Sequence, residues 1–569
     1  MKKGKFQPIL FLVASGIVLT GCDGLGKMVK NASQVTYAVT PNPLEMHGDS
    51  VQVQISGKYP AKFFNKKAAV EVTPVLMYDG KELSLKSKKF KGESAADAEG
   101  TVINYESGGS FNYSDKIAYQ PGMEQASLEL KAKGSAKGKS KDFPGIKVAE
   151  GTIVTPILLM NDSKPTMAKD NFTKTQPRNI NGDILFAIQT ADVKQNELKE
   201  ADMQAIFKFI KDGSKSYVYK NISISAYASP DGEERMNEGL SANRGKNTQS
   251  ALSAEFKKNK LKMDEALFKL SNTPEDWEGF KAAVQSSSIQ DKDLILRVLS
   301  MYSDPLQREQ ELKNMSKTFE VLATDILPKL RRSQINIQAE EPSRSDAQIM
   351  ALVSSNPDSL SAEEMMYAAG MASDNNQKMA IYKKCAEKYN DWRALNNMGY
   401  LNILQNNLDA AKSDLEKAQK VQNNSTVKNN LGVIAYSKGD IKAAEALFAD
   451  ASGDKNATYN AGIIKIKRGD YSGAVSSMGD ANTFNAGLAK LLNGSAEAAL
   501  KTVDASSDKE TAAGYYLKAV AGARSGNVSV MVNNLKSAVA KDASLKDKAK
   551  KDMEFAKFKD NAEFSSVIN

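Results

Sequence analysis

The amino-acid sequence predicts a multidomain protein: a β-sandwich at the N-terminal end, an α+β domain in the middle and an all-α repeat superhelix at the C-terminal end. Three observations predict this fold class. Short segments of alternating apolar and polar residues fill positions 34–160. Strand-like and amphipathic helical segments alternate between 179 and 340, and a helical unit repeats from about 360 to 569.

The N-terminus has the pattern of a secretory signal peptide over residues 1–21. Three lysines lie within the first five residues, and the apolar run Ile9–Leu19 follows them. The sequence Leu19-Thr20-Gly21-Cys22 comes next and resembles the lipobox of bacterial lipoproteins. This resemblance implies that Cys22 is acylated and becomes the first residue of the mature chain. A plain secreted protein with a chance cysteine is the alternative.

The resemblance implies an outer-membrane protein held by its N-terminal lipid. No other segment of the sequence approaches the about 20 apolar residues of a membrane-spanning helix. The residues after the cleavage site, Asp23–Lys27, lack the acidic run that marks surface-exported lipoproteins in some bacteria. We therefore expect the chain to face the periplasm, with residues 22–33 forming a lipidated tether.

Composition excludes several classes of function. The chain has two cysteines and one histidine, so it lacks the ligands of the usual zinc sites and, with Cys22 acylated, cannot form a disulfide within the mature chain. It carries no motif of paired carboxylates, nucleophile elbow or phosphate-binding loop, and we predict no enzyme, metal or cofactor. The net charge of +9 falls to +6 without residues 1–21. This mild excess, without a dense basic cluster, predicts no nucleic-acid partner.

Residues 34–160 predict an antiparallel β-sandwich of the immunoglobulin-like type. Alternating segments such as Val51–Ile55 and Leu128–Leu130 indicate strands with one buried face. Glycine-containing turns, among them Asp79-Gly80, separate the strands. We expect this domain to be a spacer or docking module. The polar residues 161–178 are typical of a linker.

Residues 179–340 predict an α+β domain with a helical insert at about 255–325. Its central motif is Ala226-Tyr227-Ala228-Ser229, then Gly232, Asn237, Leu240-Ser241 and Arg244-Gly245. This motif resembles that of the OmpA-like (peptidoglycan-associated type) domain without a gap, and Leu330-Arg331-Arg332 resembles the beginning of the closing strand of that family.

The resemblance implies a candidate peptidoglycan-binding site made of Ser229, Asp231 and Arg244. In the family, an Asp in the turn and an Arg on the helix hold diaminopimelate of the stem peptide. This chain keeps the arginine as Arg244 but has Ser229 at the acid position, with Asp231 two residues later. Either the flexible turn directs Asp231 toward the ligand, or the site no longer binds and Arg244 is an ordinary surface residue. Both alternatives stay open.

After a predicted linker at 341–359, residues 360–569 predict repeats that resemble tetratricopeptide repeats. Three units align with one another, so that Gly399, Gly432 and Gly462 correspond, and each is followed at the same offsets by two alanines. Small residues at these positions indicate close contact between the two helices of a unit. A stack of such units has a concave face that binds peptides or proteins.

Together these features predict a scaffold or accessory subunit of an outer-membrane protein machine, for β-barrel assembly or secretion, whose repeat arm recruits protein partners. A scaffold arm without a free groove is an alternative for the repeats. The alternative function is a peptidoglycan-binding envelope tether that holds stem peptide through the OmpA-like domain.

Overall fold

The computed structural model describes residues 24–95 and 98–569, and it divides into two compact units. Unit 1 combines the N-terminal part up to Ala168 with the C-terminal part from Tyr389 onward. Unit 2 comprises Lys169–Lys388. The predicted division into an N-terminal sheet-rich region and a C-terminal all-helical region is confirmed. Within the described residues, no helix is long and apolar enough to cross a membrane.

The N-terminal part of unit 1 contains one short helix and two β-sheets that share one core. The helix and the strands are α1 (Gly24–Lys30), β1 (Thr36–His47), β2 (Ser50–Tyr59), β3 (Ala69–Tyr78), β4 (Lys81–Ser84), β5 (Lys88–Gly92), β6 (Thr101–Ile103), β7 (Gly109–Ala118), β8 (Ser127–Ala136), β9 (Lys139–Asp142), β10 (Ile146–Glu150) and β11 (Thr152–Ile153). One sheet has the order β11-β1-β2-β7. The other has the order β10-β8-β3-β5-β6, with β4 beside β3 and β9 beside β8.

Alternation in the sequence explains which face of each strand is buried. Val51, Val53 and Ile55 of β2 point into the core, while the residues between them are exposed. Leu128 and Leu130 of β8 do the same from the other sheet. The immunoglobulin-like assignment itself stays a prediction.

Unit 2 is built on a mixed four-stranded sheet with the order β12-β15-β13-β14. Its elements are β12 (Thr175–Leu185), α2 (Ala201–Asp212), β13 (Val218–Tyr227), α3 (Glu234–Lys258), β14 (Phe268–Thr273), α4 (Trp277–Ser286), α5 (Lys292–Met301), α6 (Pro305–Asn314), α7 (Ser316–Asp325), α8 (Leu327–Leu330), β15 (Arg332–Pro342), α9 (Asp346–Ser355), α10 (Ala362–Met371) and α11 (Asn375–Tyr389). β14 runs parallel to β13, whereas the other pairs are antiparallel.

Two features of unit 2 differ from the expected element pattern. The insert at 255–325 begins with the end of α3 and then adds the edge strand β14 before its helices. The segment 161–178, expected to be a linker, ends within β12, and the segment 341–359 contains α9. The insert helices have an apolar core of their own around Phe280, Ile295 and Leu322.

The C-terminal part of unit 1 is a stack of antiparallel helix pairs. Its helices are α12 (Trp392–Leu404), α13 (Leu408–Val421), α14 (Ser425–Ser437), α15 (Ile441–Asp450), α16 (Lys455–Arg468), α17 (Tyr471–Met478), α18 (Phe484–Leu492), α19 (Ala496–Asp504), α20 (Ala512–Ser525), α21 (Val528–Lys541), α22 (Ser544–Lys551) and α23 (Ala562–Ile568). The pairs run from α12 with α13 to α20 with α21.

Glycines allow the two helices of a pair to approach closely, as the repeat pattern predicts. A Cβ atom at Gly399, Gly432, Gly462 or Gly487 would lie 2.5–2.7 Å from a side-chain atom of the second helix. Real Cβ atoms are not found that close to other heavy atoms. The sequence comparison above includes the first three of these glycines, and Gly487 extends the same contact to a fourth pair.

The sheets and the helical repeats of unit 1 pack against each other at the turn between α16 and α17. The ring of His47 stacks on that of Tyr471 at 5.7 Å, and the Tyr471 hydroxyl accepts a hydrogen bond from the N–H of Gly48 at 3.1 Å. Gly469 lies against the same backbone. The Arg468-Gly469-Asp470 turn is therefore a structural contact within unit 1.

Candidate functional sites

Ser229, Asp231 and Arg244, predicted to form a peptidoglycan-binding site, lie around the turn between β13 and α3 of unit 2. The structure places Arg244 on α3 and the other two residues in the turn. Ser229 and Arg244 are both buried. Cys22, the predicted lipidation site, lies outside the described residues.

Arg244 is bound to the protein's own backbone. It is only 1% exposed, and its guanidinium donates hydrogen bonds to the carbonyl oxygens of Tyr227 at 2.8 Å, Thr190 at 3.0 Å and Ala187 at 3.3 Å. Burial, and after it the nearby Arg331, lower the pKa of Arg244 to about 10, against the opposing effect of Asp231. Arg244 therefore holds the loop after β12 against β13 and presents no guanidinium edge at the surface.

Asp231 is paired with a different arginine. Arg331, just before β15, donates to the Asp231 carboxylate at 3.2 Å and to the Ser229 hydroxyl at 3.1 Å. The Ser229 hydroxyl in turn donates to Asp231. The sequence comparison noted Arg331 only as part of the closing strand and did not foresee this contact. The acid and the helix arginine of the predicted clamp thus have separate internal partners.

The helical insert covers this turn. Side chains of the insert, among them Glu309, Leu312 and Phe319, line one small crevice together with Pro230 and Asp231. This crevice is largely apolar, and its Asp231 is already bonded to Arg331. A zwitterionic ligand would have to displace these contacts to reach either charge.

A second candidate site lies in unit 1, where the helical repeats hold an extended segment of the same chain. The segment comprises residues 160–168, which form the last stretch of the N-terminal part of unit 1. Four asparagines, one from each of α12, α14, α16 and α18, bind its main chain. We call these residues, Asn397, Asn430, Asn460 and Asn485, the asparagine ladder.

Each asparagine of the ladder makes the same pair of hydrogen bonds. Its Oδ1 accepts from the N–H of one segment residue, and its Nδ2 donates to the C=O of that same residue. For Asn430 and Thr166 these distances are 2.6 and 2.8 Å, and for Asn397 and Ala168 they are 2.7 and 2.9 Å. Asn460 binds Lys164 and Asn485 binds Met160 in the same way. The ladder therefore recognises main-chain groups, which every residue except proline offers in full.

Neighbouring asparagines connect these contacts into a network. Asn396 donates to the Thr166 carbonyl at 3.1 Å, and Asn429 donates to the Lys164 carbonyl at 3.0 Å. Asn430 donates to Asn396 Oδ1, and Asn460 donates to Asn429 Oδ1, both at 2.9 Å. All the asparagines of the ladder and of this second row are fully buried. Buried amides require such partners, because an unsatisfied one costs about 1–3 kcal/mol.

Two side chains of the segment also have specific partners. The Asp162 carboxylate accepts from the Tyr459 hydroxyl and from Asn485 Nδ2, each at 2.5 Å. Burial raises the pKa of Asp162, although these two hydrogen bonds act in the opposite direction. The Thr166 hydroxyl donates to the Asp454 carboxylate at 3.0 Å. We call the surface of the repeats that holds residues 160–168 the groove. The groove thus binds the main chain of the segment and, in addition, one carboxylate and one hydroxyl side chain.

The sequence carried a signal for this site that the repeat comparison did not use. Each asparagine of the ladder stands two residues before a glycine that faces the second helix of its pair, giving Asn-x-Gly in four repeats. Glycine and asparagine therefore occupy different faces of the same helix, one toward the paired helix and one toward the groove. The recurrence of a polar, helix-unfavourable residue at one position indicates a binding role.

Among known proteins, solved structures of helical repeat proteins are similar to this chain. No protein-family model matches the chain, and no curated protein matches it. The structure is similar to the crystal structure of YrrB, a TPR protein with an unusual peptide-binding site, at 22% identity over 30% of this chain and 97% of that chain, with a TM-score of 0.25. It is also similar to the APC/C hetero-tetramer Cut9-Hcn1, at 12% identity over 59% of each chain, with a TM-score of 0.23.

Proposed function

We propose that this protein is a non-catalytic scaffold of the bacterial envelope, lipid-anchored to the outer membrane through Cys22 and facing the periplasm. It would act there as an accessory subunit of an outer-membrane protein machine for β-barrel assembly or secretion. The asparagine ladder is the observation that supports a protein-binding role. It holds an extended segment of the same chain by its main chain, so helix pairs of this kind can bind peptide, although this groove is occupied by the chain itself.

The occupied groove changes where a partner would bind. Because residues 160–168 already use both hydrogen-bonding groups of each ladder asparagine, the groove is not a vacant site for a second peptide. We therefore propose that partners meet the repeats on their outer surface, formed by the second helices of the pairs. The repeats would then recruit protein partners, as first predicted, but they would have no free groove, as the alternative states.

Affinity purification after site-specific photo-cross-linking tests this proposal. A cross-linker at the exposed positions Lys412 and Lys442 samples the second helices α13 and α15. A matched cross-linker at the exposed Lys208 on α2 of unit 2 samples a surface outside these repeats. The proposal expects an outer-membrane β-barrel protein to be captured from the first two positions. If no position gives a cross-link to another protein in intact membranes, the proposal is contradicted.

The alternative, a peptidoglycan-binding tether, has weaker support from the geometry. Arg244 donates to three carbonyl oxygens and Asp231 is paired with Arg331, so neither charge is offered to a stem peptide. Sedimentation with purified sacculi separates the two functions. The scaffold proposal expects no sedimentation of the unlipidated chain, whereas the tether requires sedimentation that Asp231→Ala and Arg244→Ala abolish.

A further inference from the structure

The helix that follows the predicted lipidation site is docked directly on the β-sheets. α1 begins at Gly24, two residues after Cys22, and its Leu25 and Met28 are 3% and 1% exposed within the sandwich core. Leu25 packs against Gly134 of β8, where a Cβ atom would lie 2.6 Å from Leu25 Cδ1. The expected tether at 22–33 is therefore folded onto the domain from Gly24 onward. An acyl chain on Cys22 would consequently lie close to this face of the sandwich.

The hairpin of β8 and β9 beside α1 is strongly basic. Residues 131–142 contain five lysines and a single acid, Asp142. The lysines are all exposed. Lys131, on the opposite face from Gly134, is paired with Glu82 at 2.7 Å. The lysines toward the hairpin tip are Lys137, Lys139 and Lys141.

The strand register places two of these lysines on the side of the hairpin that carries α1. Gly134 pairs with Lys141, and Ala136 pairs with Lys139. Directly paired residues of antiparallel strands point to the same face of a sheet. Since Leu25 contacts Gly134 on that face, Lys139 and Lys141 flank α1. α1 itself adds exposed Lys27 and Lys30 and contains no acid.

We propose that Lys27, Lys30, Lys137 and Lys141 form a basic face that binds anionic phospholipid headgroups next to the lipid anchor. The proposal rests on the proposed lipidation of Cys22, because the anchor is what brings this face to the membrane. Phosphate groups complement an exposed lysine cluster, and a lysine near an anionic membrane surface contributes roughly fivefold in partitioning at low salt. The N-terminal domain would then lie against the membrane instead of swinging on a flexible tether.

Protection of a sheet edge is the competing explanation for these lysines. Among the strands of the described residues β9 pairs only with β8, which makes it an edge strand, and lysines on edge strands prevent pairing with other chains. That explanation requires no affinity for lipid. The two explanations differ in their dependence on lipid charge and on ionic strength.

Vesicle co-sedimentation of the unlipidated full-length mature chain, carrying Cys22→Ser, tests the proposal. Vesicles rich in phosphatidylglycerol are compared with vesicles of phosphatidylcholine alone. The double variant Lys137→Ala, Lys141→Ala is compared with the equally charged control Lys412→Ala, Lys420→Ala on α13. Both double variants change only exposed side chains, and thermal unfolding curves verify that they fold.

We expect the parent and the control to bind only the anionic vesicles, and the hairpin double variant to bind them roughly 30-fold more weakly. Salt should release the parent, because the Debye length falls to about 3 Å at 1 M. Equal binding by the two double variants, or no preference for anionic vesicles, would overturn the proposal. Lipidation is read separately, from the mass of the N-terminal peptide of membrane-extracted wild type. If Cys22 of the wild type is unmodified while the unlipidated chain still binds anionic vesicles, the lipid anchor is rejected and the basic face is not.

Discussion

Replacing Asn430 by alanine is the most direct test of the asparagine ladder. Asn430 accepts from the Thr166 N–H at 2.6 Å, donates to the Thr166 carbonyl at 2.8 Å and donates to Asn396 Oδ1 at 2.9 Å. Alanine removes all three bonds. It also raises the helix propensity of α14, so any loss of stability comes from the groove and not from the helix.

The magnitude follows from the groups left without partners. The Thr166 carbonyl keeps its bond from Asn396, but the Thr166 N–H and Asn396 Oδ1 lose theirs. Each buried group left unsatisfied costs about 1–3 kcal/mol, and water entering the space reduces this cost. We therefore expect segment opening to become easier by about 2–4 kcal/mol, which is roughly a 30- to 700-fold faster amide exchange.

Hydrogen exchange read by mass spectrometry on peptides that cover residues 160–168 measures this change. Local exchange is preferable to global unfolding here, because a chain with two compact units does not unfold in a single two-state step. Asn423→Ala is the matched control, since Asn423 is an exposed asparagine in the loop between α13 and α14. The reasoning is refuted if exchange of the segment is the same in Asn430→Ala, in the control and in the wild type.

Three further changes are expected to have measurable effects. Gly432→Ala should destabilise the helix pair α14 and α15 by about 1–3 kcal/mol, measured by hydrogen exchange of the peptides that cover it, because its Cβ would lie 2.6 Å from buried Phe448. The control Gly370→Ala, whose Cβ meets nothing within 4 Å, should leave exchange of its own helix unchanged or slightly slower, and equal effects of the two changes would contradict the close helix contact. Burial raises the pKa of Asp162 above its unfolded value of about 3.9, so its contribution to stability is full below that pH and is lost as the pH rises through the folded pKa. Relative to Asp162→Asn, the wild type should therefore lose exchange protection of 160–168 on going from about pH 4 upward and then level off, and parallel pH profiles would argue against this cause. Arg244→Ala should lower the stability of unit 2 by about 3 kcal/mol or more, since three carbonyl oxygens lose their donor. Replacing the exposed Arg235 on the same helix by alanine should change the stability by less than about 0.5 kcal/mol. Equal effects of the two changes would mean that the buried contacts of Arg244 are weak.

Local sequence patterns predicted the elements of this fold better than their long-range contacts. Alternation located strands such as β2 and β8, because the burial of every second residue is a property of one strand alone. The glycine and alanine spacing located the helix pairs for the same reason. The pairing of Asp231 with Arg331 joins residues 100 positions apart, and no local pattern indicates which of two arginines approaches an acid.

The occupied groove illustrates what the composition of a segment leaves undetermined. Residues 161–178 are polar and contain Pro, Asn and Lys, which is typical of a linker. Composition does not indicate where the backbone hydrogen bonds of a segment go, although each buried N–H and C=O must find a partner. The four Asn-x-Gly elements carried the complementary information. Fully buried amides facing a groove require an occupant with both donors and acceptors, and an extended peptide main chain supplies them at every second residue.

This requirement also limits how any partner peptide can use the groove. Residues 160–168 belong to the same chain as the ladder, so their effective concentration is of order mM, as for other short tethers. A free peptide with the same contacts, present at about 1 µM, would then occupy roughly one groove in a thousand. A partner therefore needs additional contacts worth about 4 kcal/mol to displace the segment, or it must bind the repeats elsewhere. Binding at the proposed outer surface requires no displacement of residues 160–168. The ladder is therefore better understood as an internal contact that stabilises unit 1 than as a binding site for a free peptide.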